Sequence, residues 1–186
     1  MHERKGPVQD SDKGAPGRPA PAAGDVAEDG AVVFVCVACE VPLTGPLVRL
    51  PEVPEAPYYE WWEAEEPGPS PATVPAGCYA VETEPYGAPL VTSEVPTQVM
   101  PRYGTVSDGR GRWLVSRGPR GNIVVDPDDA RGLEDHHVSP ACCGATPTGG
   151  MNQRCSCGTL VGTLSSDCCC PYELHLSPDR VRAVRP

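Results

Sequence analysis

Hydrophobic residues along this chain fall in short runs, and most runs end at glycine, proline or cysteine. Residues 32–37 (VVFVCV) form an apolar run of strand length with Cys36 and Cys39 at its end. Residues 43–50 then read as a returning strand. Strand, two-cysteine turn and second strand together predict half of a zinc ribbon. The stretch CYAVETEPYG, from Cys78, predicts a short strand that ends in a turn. Residues 112–116 and 122–125 are apolar-rich, and the Gly/Pro/Arg segment between them predicts a β-hairpin. Asp126 before Pro127 stops that strand, and PDDARGL suits one helical turn. The C-terminal part predicts strands at MNQRC, LVGTLSSD and YELHLS, with CSCG as a turn, before PDRVRAV closes the chain. Nothing has the length or period of a long helix. The expected fold is mainly β with a small α content, built around zinc-ribbon-like hairpins.

Two stretches break the pattern. Residues 1–29 are rich in Pro, Ala, Gly and Asp without periodicity, which predicts a disordered tail before a single domain over 30–186. Residues 51–77 carry seven prolines and predict an irregular loop, with a helical turn around 59–65. Trp61 and Trp62 read there as cover for a small core, with an exposed partner-binding patch as the sharper alternative.

Composition sharpens the picture. Of 186 residues, 24 are proline, 20 glycine and one phenylalanine, so the chain has little material for a core and needs a staple. Ten cysteines are the candidates. In an oxidising compartment they would form disulfides; in a reducing one, metal sites or reactive thiols. The N-terminus lacks the apolar stretch of a signal peptide, and no run approaches the roughly 20 apolar residues of a membrane helix. A cytoplasmic protein with reduced or metal-bound cysteines is therefore expected.

The net charge of −10 is uneven. Residues 31–100 hold ten Glu against one Arg, whereas residues 101–186 hold ten Arg against nine acids. Arg102, Arg110, Arg112, Arg117 and Arg120 gather near Tyr103 and Trp113, which invites a nucleic-acid reading. The adjacent acidic stretch argues against it, and a protein partner is expected instead.

Zinc takes four ligands in a tetrahedron, and two cysteines in one tight turn reach it from one side. Cys36-x-x-Cys39 is one such turn, and Cys155-x-Cys157 followed by Gly158 is the other. A competing set closes within the C-terminal segment: Cys142 or Cys143 with Cys155, Cys157 and Cys168. Adjacent cysteines such as Cys142 and Cys143 are expected to divide their roles, one ligating while the other packs or serves a second site. His136, His137 and His175 could complete a second site but read better as loop and strand side chains. Cys78 reads as a small buried hydrophobe. Cys169 and Cys170 read as spectators, with Cys170 facing outward.

The stretches PAGCYAVE, NIVVDPDDARGL, ACCG and NQRCSCGTLVGTLSSDC resemble a group of uncharacterised cysteine-rich actinobacterial proteins. That group shares an N-terminal CxxC, a CCG element, a CxCG turn and an Asp-Cys after the next strand. These elements fall here at Cys36, Cys39, Cys142, Cys143, Cys155, Cys157, Asp167 and Cys168. An aromatic often follows the Asp-Cys in the group, where this chain has Cys169 and Cys170. The resemblance implies a compact zinc-binding domain.

No Walker loop, H-E-x-x-H, GxGxxG or Ser/His/Asp order occurs, so no enzyme is expected. The reading is a zinc-stabilised binding or scaffold module; the alternative is a thiol-based redox or metal-responsive sensor.

Overall fold

The computed structural model describes residues 30–60, 62, 68–136 and 141–186. The expected tail at 1–29, most of the helical turn at 59–65, Trp61 and His137 lie outside those residues.

The two strands at the centre of the molecule show why the chain folds as it does. Strand β6 (Asn122–Val125) and strand β10 (Glu173–Leu176) are buried along their whole length and pair antiparallel. Side chains alternate across a strand. Ile123, Val125, Leu174 and Leu176 therefore share one face, and they join the main core with Phe34, Leu43, Leu47, Val161 and Val181. Asn122, Val124, Glu173 and His175 share the other face, where burial is equally complete but three of the four groups are polar.

Around this pair runs a seven-stranded sheet. Its order is β2 (Val48–Arg49), β3 (Cys78–Glu82), β6, β10, β9 (Leu160–Ser165), β8 (Gln153–Cys155) and β7 (Leu133–Asp135). All neighbours are antiparallel except β2 and β3. A separate ribbon joins β1 (Val33–Cys36) to the last strand, β11 (Val181–Val184), so the two ends of the described chain close on each other. Strands β4 (Leu90–Ser93) and β5 (Trp113–Ser116) form a third, small sheet. With Tyr86, Val99 and Met100 they build a satellite core. Helical structure among the described residues is limited to two single 3-10 turns, at Pro127–Asp129 and Pro147–Gly149. The mainly β expectation holds. No described helix is long and apolar enough to cross a membrane.

Two expectations need correction. Residues 112–116 and 122–125 do not form a hairpin: β5 pairs with β4, while β6 pairs with β3 and β10. The connecting segment is clamped elsewhere. Arg117 N–H donates to Pro89 O at 2.8 Å, and Gly121 N–H to Glu82 O at 2.8 Å. Gly118 passes so close to Tyr86 that a Cβ there would stand 2.0 Å from the Tyr86 carbonyl oxygen. The segment thus leads from the satellite back into the main sheet. The returning strand over 43–50 is likewise absent as one element. Isolated bridges Val35 to Pro42 and Val32 to Leu47 turn the chain back, and only Val48–Arg49 is a strand.

The polar face is held by one side chain. The Arg102 guanidinium lies 2.6 Å from Glu173 Oε1 and 2.7 Å from Glu82 Oε2, bridging strands β10 and β3 from the satellite. Glu173 in turn sits 2.7 Å from His175 Nε2, and the Tyr86 ring stacks on His175 at 3.4 Å. Desolvation would raise the Glu173 carboxyl, but His175 and Arg102 outweigh it and hold it below the usual carboxylate range. Desolvation also holds the His175 ring below its ordinary value, against the pull of Glu173.

Two predictions follow from this face. Arg102→Met leaves two buried carboxylates without a cation and should cost about 3–5 kcal/mol in chemical denaturation; a cost below 1 kcal/mol would contradict the bridging role. His175 is folded as the neutral ring, so below about pH 6.5 the unfolded state takes a proton that the folded state resists. Stability from this residue is therefore present above that pH and drains as pH falls. The stability gap between wild type and His175→Leu should narrow from pH 7 to pH 5, and a constant gap would refute it.

Candidate metal centre

The two cysteine turns predicted from spacing are built alike. In the first, β1 ends at Cys36, whose N–H donates to Val41 O at 3.0 Å while its carbonyl accepts from Glu40 N–H at 2.8 Å. In the second, β8 ends at Cys155, whose N–H donates to Thr159 O and whose carbonyl accepts from Gly158 N–H, both at 2.8 Å. Each loop closes through a left-handed residue, Glu40 at φ 63° and Gly158 at φ 89°. Glycine adopts that conformation freely, whereas glutamate does so at a cost the surrounding hydrogen bonds must offset. The second cysteine of each turn receives a backbone N–H from two residues on: Val41 to Cys39, Thr159 to Cys157.

The fold brings these turns face to face. Sγ atoms of Cys36, Cys39, Cys155 and Cys157 all lie within 4.8 Å of one another. Cys36 and Cys157 approach at 3.8 Å, and Cys39 and Cys155 at 3.5 Å. A tetrahedron with metal–sulfur bonds of about 2.3 Å spaces its sulfurs about 3.8 Å apart, so the donor set fits zinc in number, chemistry and size. None of the ten cysteines is in a disulfide. Cys36 and Cys155 are fully buried in the main core, while Cys157 opens to the surface.

Crowded sulfurs share protons unequally. Thr159 lowers the Cys157 thiol to about 6 through its hydroxyl, 3.3 Å away, and its backbone N–H, with Cys39 adding to the effect. At Cys39 the Val41 N–H favours the thiolate, but desolvation and the sulfurs of Cys155, Cys157 and Cys36 outweigh it and push the thiol up to about 12.

The competing ligand set is not the one assembled. Cys155 and Cys157 pair with Cys36 and Cys39, and the remaining expected ligands, Cys142, Cys143 and Cys168, gather separately within 4.8 Å. The expected division of roles between Cys142 and Cys143 is also not seen, because both sulfurs enter that second group. Cys169 groups with Asp167 and Cys168 rather than standing apart. Cys170 faces inward, 6% exposed, with its thiol raised by desolvation. Its thiol hydrogen-bonds with Tyr103 of the satellite, so it is not an outward spectator. Cys78 is half-buried. His175 belongs to the Glu173 network, and neither it nor His136 joins a cysteine group.

The second group is organised by side chains outside the expected ligands. Cys143 N–H donates to Asp167 Oδ1 at 2.9 Å, and Ala145 N–H to Ser166 Oγ at 2.9 Å. A Cβ on Gly144 would sit 2.3 Å from Ser166 O, so only glycine lets these two segments touch. The glycine of CCG was the available signal, since its role is close approach. No protein-family model, curated protein or solved structure matches the chain.

Metal binding at the four-cysteine centre should be strongly pH-dependent. A ligand thiol must lose its proton, and Cys39 holds one at neutral pH, so binding releases it and tightens as pH rises. Below about pH 6 the Cys157 thiolate also protonates and affinity falls more steeply, by roughly tenfold per pH unit for each proton released. Calorimetry in two buffers of different ionisation enthalpy reads this directly. Equal heats in both buffers would contradict it.

Proposed function

We propose that the chain is a zinc-stabilised binding module that acts on a protein partner and catalyses no reaction. The observation that carries this reading is the four-sulfur cluster with spacings of 3.5 and 3.8 Å. Four thiolates fill a zinc coordination sphere and leave no open position for substrate, which is the chemistry of a structural site. Both turns carry backbone N–H groups aimed at sulfur, as a zinc-ribbon-like centre requires. The ion would close turns 116 and 121 residues apart in a chain with few large apolar side chains, so binding energy there becomes folding energy.

The partner face is the Glu-rich segment that precedes the satellite. Tyr58 is 87% and Trp62 63% exposed there, beside Glu52, Glu55 and Glu60. Exposed large aromatics within a charged surround suit protein contact. The arginines that suggested nucleic acid are engaged in part: Arg102 with Glu82 and Glu173, Arg112 with Asp108, Arg120 with Glu84.

Protein purified under reducing conditions should carry one zinc bound by four sulfurs at about 2.3 Å in X-ray absorption. Cys155→Ser removes a fully buried ligand and should abolish both that zinc and the cooperative melt, whereas Cys78→Ser should keep both. A folded, zinc-free wild type would overturn the reading.

A further inference from the structure

The geometry points to a second metal site, formed by Cys142, Cys143 and Cys168, that takes one soft, thiophilic ion of the Cu(I) class in exchange with solution. This inference is independent of the zinc reading and uses different residues. The three sulfurs lie within 4.8 Å of one another. They come from two backbone segments that the fold has already locked together. Ser166 N–H and Asp167 N–H both donate to Ala145 O, at 2.9 and 3.2 Å, and Cys170 N–H donates to Asp167 O at 2.9 Å. The Asp167 carboxylate holds Cys143 N–H from the side, and Gly144 allows the contact. Cys168 N–H points at Cys143 Sγ at 3.1 Å, a hydrogen bond that favours a thiolate there.

Ligand number and chemistry select the ion. The group offers three sulfurs and no imidazole. Asp167 Oδ1 stands 3.4 Å from Cys143 Sγ and accepts the Cys143 N–H, and its carboxylate also takes the N–H groups of Cys168 and Cys169, so it positions the cysteines. Soft thiolates favour Cu(I) over harder divalent ions, and three of them satisfy an ion that does not demand a fourth ligand. Access fits exchange. Cys142 and Cys143 are exposed, and all three cysteines line a cavity of about 500 Å³ together with Trp62, Gly68 and Pro69. Cys169 pairs with Cys168 at 3.8 Å and groups with Asp167, outside the three-sulfur set.

The test starts from reduced full-length protein loaded with one equivalent of zinc. Cu(I) is added anaerobically in competition with a chromophoric Cu(I) chelator, while zinc release is followed with a zinc dye. One equivalent of Cu(I) should bind without releasing zinc and should give an ultraviolet thiolate-to-copper charge-transfer band. Cys142→Ser changes an exposed side chain and should keep the zinc and the melting temperature. Its Cu(I) affinity should fall by more than the roughly 10–100-fold that an outer-shell substitution costs. Cys169→Ser should bind Cu(I) as the wild type does. The inference is overturned if Cu(I) displaces zinc instead of adding to it, if Cys142→Ser binds Cu(I) unchanged, or if a zinc-loaded sample takes up no Cu(I). Loss of zinc from the wild type before any copper is added would count against the four-cysteine reading alone, and the Cu(I) comparison of the two variants would still decide this one.

Discussion

The constraint on which the structure depends is the meeting of two cysteine turns that are far apart in sequence. Cys36 and Cys155 are at once strand ends, core residues and members of the four-sulfur cluster. That triple role ties the β1–β11 ribbon to strand β8 of the main sheet. Bringing such distant turns together costs chain entropy that grows with the logarithm of the loop length. A main core with one phenylalanine and mostly Leu, Ile and Val side chains has little in reserve against that cost. Four thiolates gathered there would repel one another, so the same cluster that closes the fold could hold a metal ion.

The opposite face of the sheet solves a different problem with a different device. Glu82 and Glu173 are buried, and one guanidinium fork neutralises both. Arg102 is itself at φ 57°, a left-handed conformation that a non-glycine residue adopts only where its surroundings hold it. Such a network contributes less net stability than an apolar replacement of the same shape could. What it supplies is orientation: the satellite can seat only where Arg102 reaches both carboxylates and Tyr86 covers His175. Apolar contact alone would leave that placement loose.

Local chemistry was legible in the sequence and distant pairing was not. The cysteine turns, the glycine at 158, the break at Asp126-Pro127 and the strands at β3, β6, β8, β9 and β10 all follow from neighbours within a few residues. The failed hairpin shows the limit. Residues 112–116 and 122–125 have every local sign of pairing, but Gly118 packs against Tyr86, more than thirty residues earlier. Glu173 and His175 alternate with Leu174 and Leu176 as in a strand with one wet face. Their partner Arg102, 71 residues from Glu173, makes that face dry. The vicinal pair Cys142 and Cys143 misled for a related reason. Adjacent side chains usually diverge, and only the contact between Gly144 and Ser166 explains why these two converge with Cys168.

The two cysteine groups therefore differ in what an ion contributes to each. At the four-cysteine centre the turns are joined by their sulfurs across 116 and 121 residues, with two of the four sulfurs sealed in the core. An ion bound there would support the fold and could not leave without disturbing it. In the second group Cys143 and Cys168 are only 25 residues apart, and five backbone or side-chain hydrogen bonds already fasten the two segments. Closing so short a loop releases little entropy to the metal, and the fold there does not depend on one. An ion at that surface would be free to come and go. Its presence would alter the cavity lined by Trp62 without altering the sheet behind it, so exchange and support would lie in separate parts of one small molecule.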